Sequence, residues 1–167
     1  MKAAADLVQA ARACAALPSR AVIGWDELLA WPDWALPARR GGLDAQVLRC
    51  GALAHAQALR ACIDGPTLQA AHELLGRGAL LALLQGRSPR LAQRAALPRI
   101  DALESSWRNA GRALWIGSVA PGPLRQAVLE HLAWPAIEAV ELPPAQEAQA
   151  VVEWACALSG DEEAIAS

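Results

Sequence analysis

One helical stretch and the point where it stops constrain the fold of this chain most. Between Val47 and Ile63 the apolar side chains recur at spacings of four and three, which places them on one face of an α-helix. The sequence Asp64-Gly65-Pro66 follows, and proline is tolerated only in a first helical turn, where the aspartate can cap a free N–H. The sequence therefore predicts a helix over residues 43–63 and another over 66–75, ended by Gly76. The face consists of Leu48, Ala52, His55, Leu59 and Cys62.

Several residues of this stretch, with others further along the chain, form a recognisable set. They are Arg49, Gly51, His55, Leu59, Arg60, Cys62, Ile63, Pro66, Thr67, Leu68, Glu104, Ser105, Gly111, Leu114 and Trp115. At these positions, and over roughly residues 47–135, the chain resembles the K-type subunits of bacterial type III secretion sorting platforms, the SctK/YscK/PscK family. The first 40 residues match poorly, and the chain has no Phe or Tyr, whereas family members usually have a more aromatic N-terminal segment.

Helical periodicity and breakers predict an all-α fold for the whole chain. We expect a compact, multi-helix single domain over 1–167, in which 1–42 form an N-terminal helix and an irregular Pro/Trp-rich arm and 43–167 form a helical core. A short extended segment is possible near 139–142. The remaining helices are predicted over 3–16, 26–30, 78–85, from Pro98 onwards, 124–133 and 145–158, the last ended by Gly160.

The helix opened by Pro98 has the clearest apolar stripe. Its side chains are spaced by three and four residues, while charged residues occupy the rest of the cylinder. We therefore expect Leu103 and Trp107, at the centre of the stripe, to be buried in the core. The stripe consists of Ile100, Leu103, Trp107, Ala110 and Leu114.

Composition indicates a folded protein without a membrane span. Hydrophobic residues make up 54% of the 167 residues, which is typical of a folded chain. The net charge of −2 provides no overall attraction to nucleic acid or to an anionic membrane. The longest uncharged stretch, residues 113–124, is too short and too rich in proline to cross a bilayer. No convincing signal peptide is present, because charged and polar residues interrupt the N-terminal segment. We expect a soluble, cytosolic protein.

Residue types that carry catalysis or bind metal do not assemble into a motif. The pair His72-Glu73 begins like a zinc-protease motif, but Gly76 stands where the second histidine would be. The four cysteines are far apart and are interpreted as small buried hydrophobic residues in a reducing compartment. His55, on an apolar helix face, is interpreted as a neutral core residue with its N–H satisfied. We predict no enzymatic activity, no cofactor and no metal.

Charge is unevenly distributed along the chain. From Arg77 to Arg112 there are seven arginines and two acids, whereas residues 126–167 hold eight acids and no Lys or Arg. The acidic end could fold onto the basic middle, or the two could be separate faces for two partners, because complementary charge orients association. A third interpretation is a small helical regulator that binds nucleic acid through the arginines. We predict that Arg87, Arg90 and Arg94, which flank a loop containing Pro89, bind a partner.

Tryptophan supplies all seven aromatic side chains of the Phe, Trp and Tyr class. Most large apolar side chains in a small domain are core, yet tryptophan is also enriched in protein interfaces. Both a core position and a partner contact therefore stay open for Trp25, Trp31, Trp34 and Trp115. We include Trp31, Trp34 and Trp115 among the candidate partner-binding residues.

The family resemblance implies a function that the composition alone does not. It implies a non-enzymatic adaptor that joins the cytoplasmic domains of the D-type inner-membrane ring subunit to the Q-type pod scaffold subunit. The L-type spoke and the N-type ATPase would be indirect partners. The protein would lie in the cytoplasm, peripheral to the inner membrane, without inserting into it and without binding nucleic acid.

Overall fold

The computed structural model describes residues 4–18, 23–36, 42–89, 96–135 and 143–165, with side chains described as far as Leu158. These residues form nine α-helices and a short 3-10 helix, Asp33–Ala35, and no strand, so the predicted all-α class is confirmed. The predicted extended segment at 139–142 lies outside the described residues. The helices are α1 (Ala4–Ala15), α2 (Trp25–Leu29), α3 (Leu43–Leu53), α4 (Ala56–Ala61), α5 (Gly65–Leu75), α6 (Arg77–Leu84), α7 (Ile100–Gly117), α8 (Pro123–Leu132) and α9 (Ala145–Ile165).

The helix predicted over 43–63 is in fact two helices, α3 and α4. The amides of Ala54 and His55 bond to carbonyls three residues back, on Gly51 and Ala52, instead of four, which tightens the chain and ends α3. His55 has φ −113° and ψ 13°, outside the helical region, and its carbonyl begins α4. The apolar face survives the break, because Leu48, Ala52, His55 and Leu59 are all buried, although Cys62 is only half-buried.

The last helix also differs from its prediction. Instead of ending before Gly160, α9 continues to Ile165. A glycine inside a helix costs only about 1 kcal/mol relative to alanine, and no proline follows to end the helix. Gly160 is therefore an interior residue of α9.

Contacts between Cα atoms divide the chain into two compact units. The first unit comprises residues 1–43 and 119–142. In it, α1 packs against α2 and α8. Trp31 and Leu36 are buried on either side of the short 3-10 helix, together with Leu124 and Val128 of α8. The N-terminal arm therefore shares a core with α8. The expectation of one domain over 1–167 stays a prediction.

The second unit comprises residues 44–118 and 143–167. Its central helix is α7, which packs against α5 and α9, while α6 packs against α4, α5 and α9. The predicted apolar stripe faces this core, because Leu103, Trp107, Ala110 and Leu114 are buried. Ile100, at the start of the stripe, is 48% exposed, since it lies in the first turn of the helix.

Two glycines allow α3 and α7 to cross at close range. A methyl group built on Gly51 would lie 2.5 Å from the carbonyl carbon of Trp107 and closer still to its oxygen. A methyl group built on Gly111 would lie 2.7 Å from the carbonyl carbon of Val47. Each glycine thus faces the backbone of the other helix, and neither position has room for a side chain.

The predicted stop after Ile63 is also the start of α5. The carboxylate of Asp64 accepts hydrogen bonds from the Thr67 amide, at 3.0 Å, and from the Thr67 hydroxyl, at 2.5 Å. Pro66 occupies the first turn, as expected from its missing N–H. These bonds from Thr67 hold the pKa of the Asp64 carboxyl below its ordinary value.

This cap predicts a pH dependence of stability. Because the pKa of Asp64 is lower in the folded chain than in the unfolded chain, its contribution is present above the unfolded value and is lost as the pH falls through the folded value. Asp64→Asn retains a good cap residue but does not titrate. Urea denaturation of both proteins between about pH 6 and pH 3 should show a smaller acid loss in the variant. Equal losses of unfolding free energy in the two proteins would show that the charge of Asp64 does not contribute to stability.

Candidate partner-binding surfaces

Of the three predicted partner-binding arginines, the structure describes Arg87. It lies in the loop of residues 85–89 that follows α6, and its side chain is exposed. Within the described residues it forms no ion pair. Arg90 and Arg94 lie outside the described residues.

Arg60, a residue of α4, holds the start of this loop. Its Nε donates a 2.7 Å hydrogen bond to the carbonyl of Leu83, near the end of α6, where helix carbonyls lack partners within the helix. Its Nη2 lies 3.4 Å from the hydroxyl of Ser88. Gly86 has φ +73°, a conformation that favours glycine. A methyl group built on Gly86 would lie 3.8 Å from the Arg60 guanidinium. The chain therefore leaves α6 in a defined turn.

Two more side chains lie within hydrogen-bond distance of backbone carbonyls, those of Arg87 and Ala96. The indole Nε1 of Trp154, in α9, donates a 2.9 Å hydrogen bond to the carbonyl of Arg87. The Nδ1 of His55 lies 2.9 Å from the carbonyl of Ala96. Since a carbonyl only accepts, Nδ1 carries the proton. His55 is 3% exposed, so its interpretation as a core histidine with a satisfied N–H agrees with its position.

The three candidate tryptophans have different environments. Trp31 is 1% exposed, and its ring meets the His131 ring edge-on at 5.7 Å between centroids. Trp34 is half-buried and stacks on Trp134 at 6.3 Å, with the ring planes 14° apart. Both pairs attach the arm to the end of α8. Of Trp31, Trp34 and Trp115, only the half-buried ring of Trp34 presents surface to a partner.

Trp115 is fully buried in the second unit. Its Nε1 donates a 3.2 Å hydrogen bond to the sulfur of Cys50, and the Cys50 thiol faces the carbonyl of Val151 at 3.8 Å. Burial raises the pKa of the Cys50 thiol well above its ordinary value, although the Trp115 bond opposes that rise. Cys50 is a neutral core residue, as predicted for the cysteines, whereas Cys14 and Cys62 are half-buried and Cys156 is exposed. A partner could contact Trp115 only if the second unit opened.

Several charges of the basic middle have partners within the second unit. Arg108 bridges two carboxylates, Glu104 at 2.6 Å and Asp44 at 3.1 Å, and the hydrogen bond to Glu104 raises the pKa of Arg108. Arg99 pairs with Asp101 at 3.3 Å. Exposed pairs of this kind contribute about 0 to 1 kcal/mol each. Part of the predicted positive charge is thus neutralised by neighbouring carboxylates. Among the described residues of the loop 85–89, Arg87 carries a positive charge that no ion pair neutralises.

Sequence reasoning did not predict that Arg60 and Trp154 hold this loop. The sequence singles out Arg60 only through the family resemblance, and a bond between residues 67 positions apart has no signal in one sequence. Trp25, for which the sequence left both core and partner contact open, is 66% exposed. The 98% exposure of Ile63 was not predicted. Periodicity alone does not identify apolar residues that stay outside a core.

Neither a metal site nor a membrane span emerges from the described residues. No group of three or more His, Cys, Asp or Glu side chains among them could hold a metal ion. In the same part of the chain, no helix combines the length and the apolar character needed to cross a bilayer.

A family model described as YOP proteins translocation protein K (YscK) matches residues 33–161. The chain belongs to the YscK family. It is therefore a protein of the type III secretion class, and the resemblance seen in residues 47–135 is confirmed. The YscK match includes the arm from Asp33 onwards, α3 to α8 and most of α9. No curated protein and no solved structure matches the chain.

Proposed function

We propose that this YscK-family protein is a non-enzymatic adaptor of the type III secretion sorting platform. It links the cytoplasmic domains of the D-type inner-membrane ring subunit to the Q-type pod scaffold subunit, and through the latter connects indirectly to the L-type spoke and the N-type ATPase. In this role the protein lies in the cytoplasm, peripheral to the inner membrane. The observation that carries the proposal is the family match over residues 33–161.

The surface chemistry supports contact with an acidic protein partner. Arg87 is exposed and forms no ion pair within the described residues, and the sequence places Arg90 and Arg94 close to it along the chain. Exposed charge at the edge of an interface mainly raises the association rate and sets orientation, and both effects weaken as salt screens the charges. We assign the first contact with the partner to these three arginines.

The proposal predicts the effect of reversing this charge. The triple variant Arg87→Glu, Arg90→Glu, Arg94→Glu should keep its helical circular dichroism and lower the association rate with the acidic partner about tenfold or more at low salt. The difference should shrink at moderate salt. Surface plasmon resonance measures the association rate with the purified Q-type scaffold and with the D-type cytoplasmic domain, each at low and at moderate salt.

Two control variants test whether the effect depends on the sign of the charge and on its position in the chain. Replacing the same three arginines by lysine keeps the charge and should retain most of the association rate. Arg12→Glu reverses an exposed charge in α1 and should leave the rate near that of the unmodified protein. If the folded triple Glu variant bound both partners at the original rate, the arginines would not be the docking residues. Loss of binding to a DNA or RNA duplex, with protein binding intact, would instead favour the nucleic-acid function.

A further inference from the structure

Two large apolar side chains of the first unit lie outside its core. Trp25 is 66% exposed and Leu29 is 44% exposed, and none of the residues of α2 is buried. Because Trp25 and Leu29 are four residues apart, their side chains lie on the same face of the helix. Single exposed apolar residues are common, whereas tryptophan is enriched among the residues that dominate protein contacts. Trp25, Leu29 and the exposed Asp26 are called the α2 face below.

Hydrogen bonds at both ends of α2 hold the α2 face in place. The carboxylate of Glu27 accepts a 2.8 Å bond from the Gly24 amide and so caps the start of the helix. At the other end, the amide of the buried Trp31 bonds to the carbonyl of Leu28 at 3.2 Å. The helix also packs against α1. A partner therefore meets Trp25 on an ordered helix, so little backbone entropy is lost on binding.

The charge around the α2 face is negative. The described residues 23–36 carry three acids and no Lys or Arg. Asp26 forms no ion pair within the described part of the chain. Helix α1, which packs against α2, adds one acid and one arginine, so it does not offset the negative charge. The surface therefore combines exposed apolar side chains with carboxylates. The three acids are Asp26, Glu27 and Asp33.

We propose that the α2 face binds a basic amphipathic helix of a protein partner. Side chains one turn apart on a helix fit between the side-chain ridges of another helix, so apolar residues of the partner cover Trp25 and Leu29. Its Lys or Arg side chains pair with Asp26. An anionic bilayer or a nucleic acid is repelled by the same carboxylates. The inference rests on the proposed adaptor function, which requires a second partner besides the one that the arginines bind.

Truncation of the tryptophan tests the apolar part of this contact. The probes are the purified Q-type scaffold and the D-type cytoplasmic domain, measured by surface plasmon resonance. Trp25→Ala should weaken binding about thirtyfold to the probe whose association the arginine reversal does not slow. The loss should persist at moderate salt, because salt does not screen apolar burial. The urea midpoint should not change, because the ring is mostly exposed. Ile63→Ala, which shortens a 98% exposed side chain of the second unit, is the matched control and should bind both probes with the original affinity.

Charge reversal tests the acidic part of the contact. Asp26→Lys should lower the association rate with the same probe about tenfold at low salt, and the difference should shrink at moderate salt. Glu73→Lys reverses an exposed acid of α5 and should leave that association rate unchanged. If Trp25→Ala does not fold, Asp26→Lys alone decides whether the α2 face binds the probe.

The outcomes distinguish this inference from the proposed function. Weaker binding of Trp25→Ala and Asp26→Lys to one probe, with both controls unchanged, supports the α2 face as a binding surface. Unchanged binding of both variants overturns it, and the adaptor function stands if the arginine reversal still slows association with a probe. If the unmodified protein binds neither probe, the adaptor function and this inference are both overturned. Analytical ultracentrifugation identifies the remaining alternative: a dimer that Trp25→Ala dissociates would show that a second copy of this chain, and not a basic partner helix, covers the α2 face.

Discussion

Alanine in place of Gly51 or Gly111 is expected to destabilise the second unit by about 3 kcal/mol or more. In an open helix the same change would stabilise by up to about 1 kcal/mol, because alanine is the better helix former. Here the added methyl group would meet the backbone of the facing helix, 2.5 Å from the Trp107 carbonyl carbon or 2.7 Å from that of Val47. A backbone carbonyl cannot rotate aside as a side chain can, so α3 and α7 must separate and their core contacts loosen.

The glycine prediction has a control and a coupling test. A methyl group on Gly65, at the start of α5, would have no neighbouring atom within 4 Å, so Gly65→Ala should unfold at the original urea concentration or slightly above it. The double variant at Gly51 and Gly111 should cost less than the two single variants together, because one separation of the helices accommodates both methyl groups. Urea unfolding followed by tryptophan fluorescence measures all four proteins. If Gly51→Ala were as stable as Gly65→Ala, the close crossing would be wrong.

Local signals of the sequence predicted the helix ends where the chain carries strong breakers. Asp64, Gly65 and Pro66 combine a cap, a flexible residue and a fixed φ, and the structure begins α5 there. The stripe of α7 was predicted by period alone, because apolar residues at helical spacing need a core to face. The start of α5 and the stripe of α7 both depend only on residues within a few helical turns of one another.

Features that depend on distant contacts could not be predicted in this way. No glycine or proline stands at the break at His55, so no residue type there predicts it. The break is accompanied by a bond from His55 to Ala96, 41 positions along the chain. Gly51 is by residue type a weak point of a helix, and only the approach of α7 explains it. The partners of Arg60 and Trp154 are likewise set by packing. The candidate site was therefore predicted as a set of charges, whereas the bonds of Arg60 and Trp154 to Leu83, Ser88 and Arg87 emerged from the structure.

Truncating the core tryptophan of α7 is the second change with a large expected effect. Trp107 and Leu103 are both fully buried at the centre of the stripe. Trp107→Ala should cost about 3 to 5 kcal/mol and Leu103→Ala about 2 to 5 kcal/mol, from lost transfer free energy and from the cavity that remains. Since a small domain is stable by only about 5 to 15 kcal/mol, either variant should unfold at a much lower urea concentration.

The indole nitrogens make a sharper version of this test possible. Within the described residues, Nε1 of Trp107 is buried without a hydrogen-bond partner, whereas Nε1 of Trp115 donates to the Cys50 sulfur. Phenylalanine at 107 would remove an N–H whose desolvation is uncompensated, but phenylalanine at 115 would break a bond. We therefore expect Trp107→Phe to recover most of the stability lost in Trp107→Ala and to be less destabilising than Trp115→Phe. Equal losses in the two phenylalanine variants would show that ring volume alone determines the free energy of unfolding at both sites, and that the Trp115 bond to Cys50 contributes nothing to it.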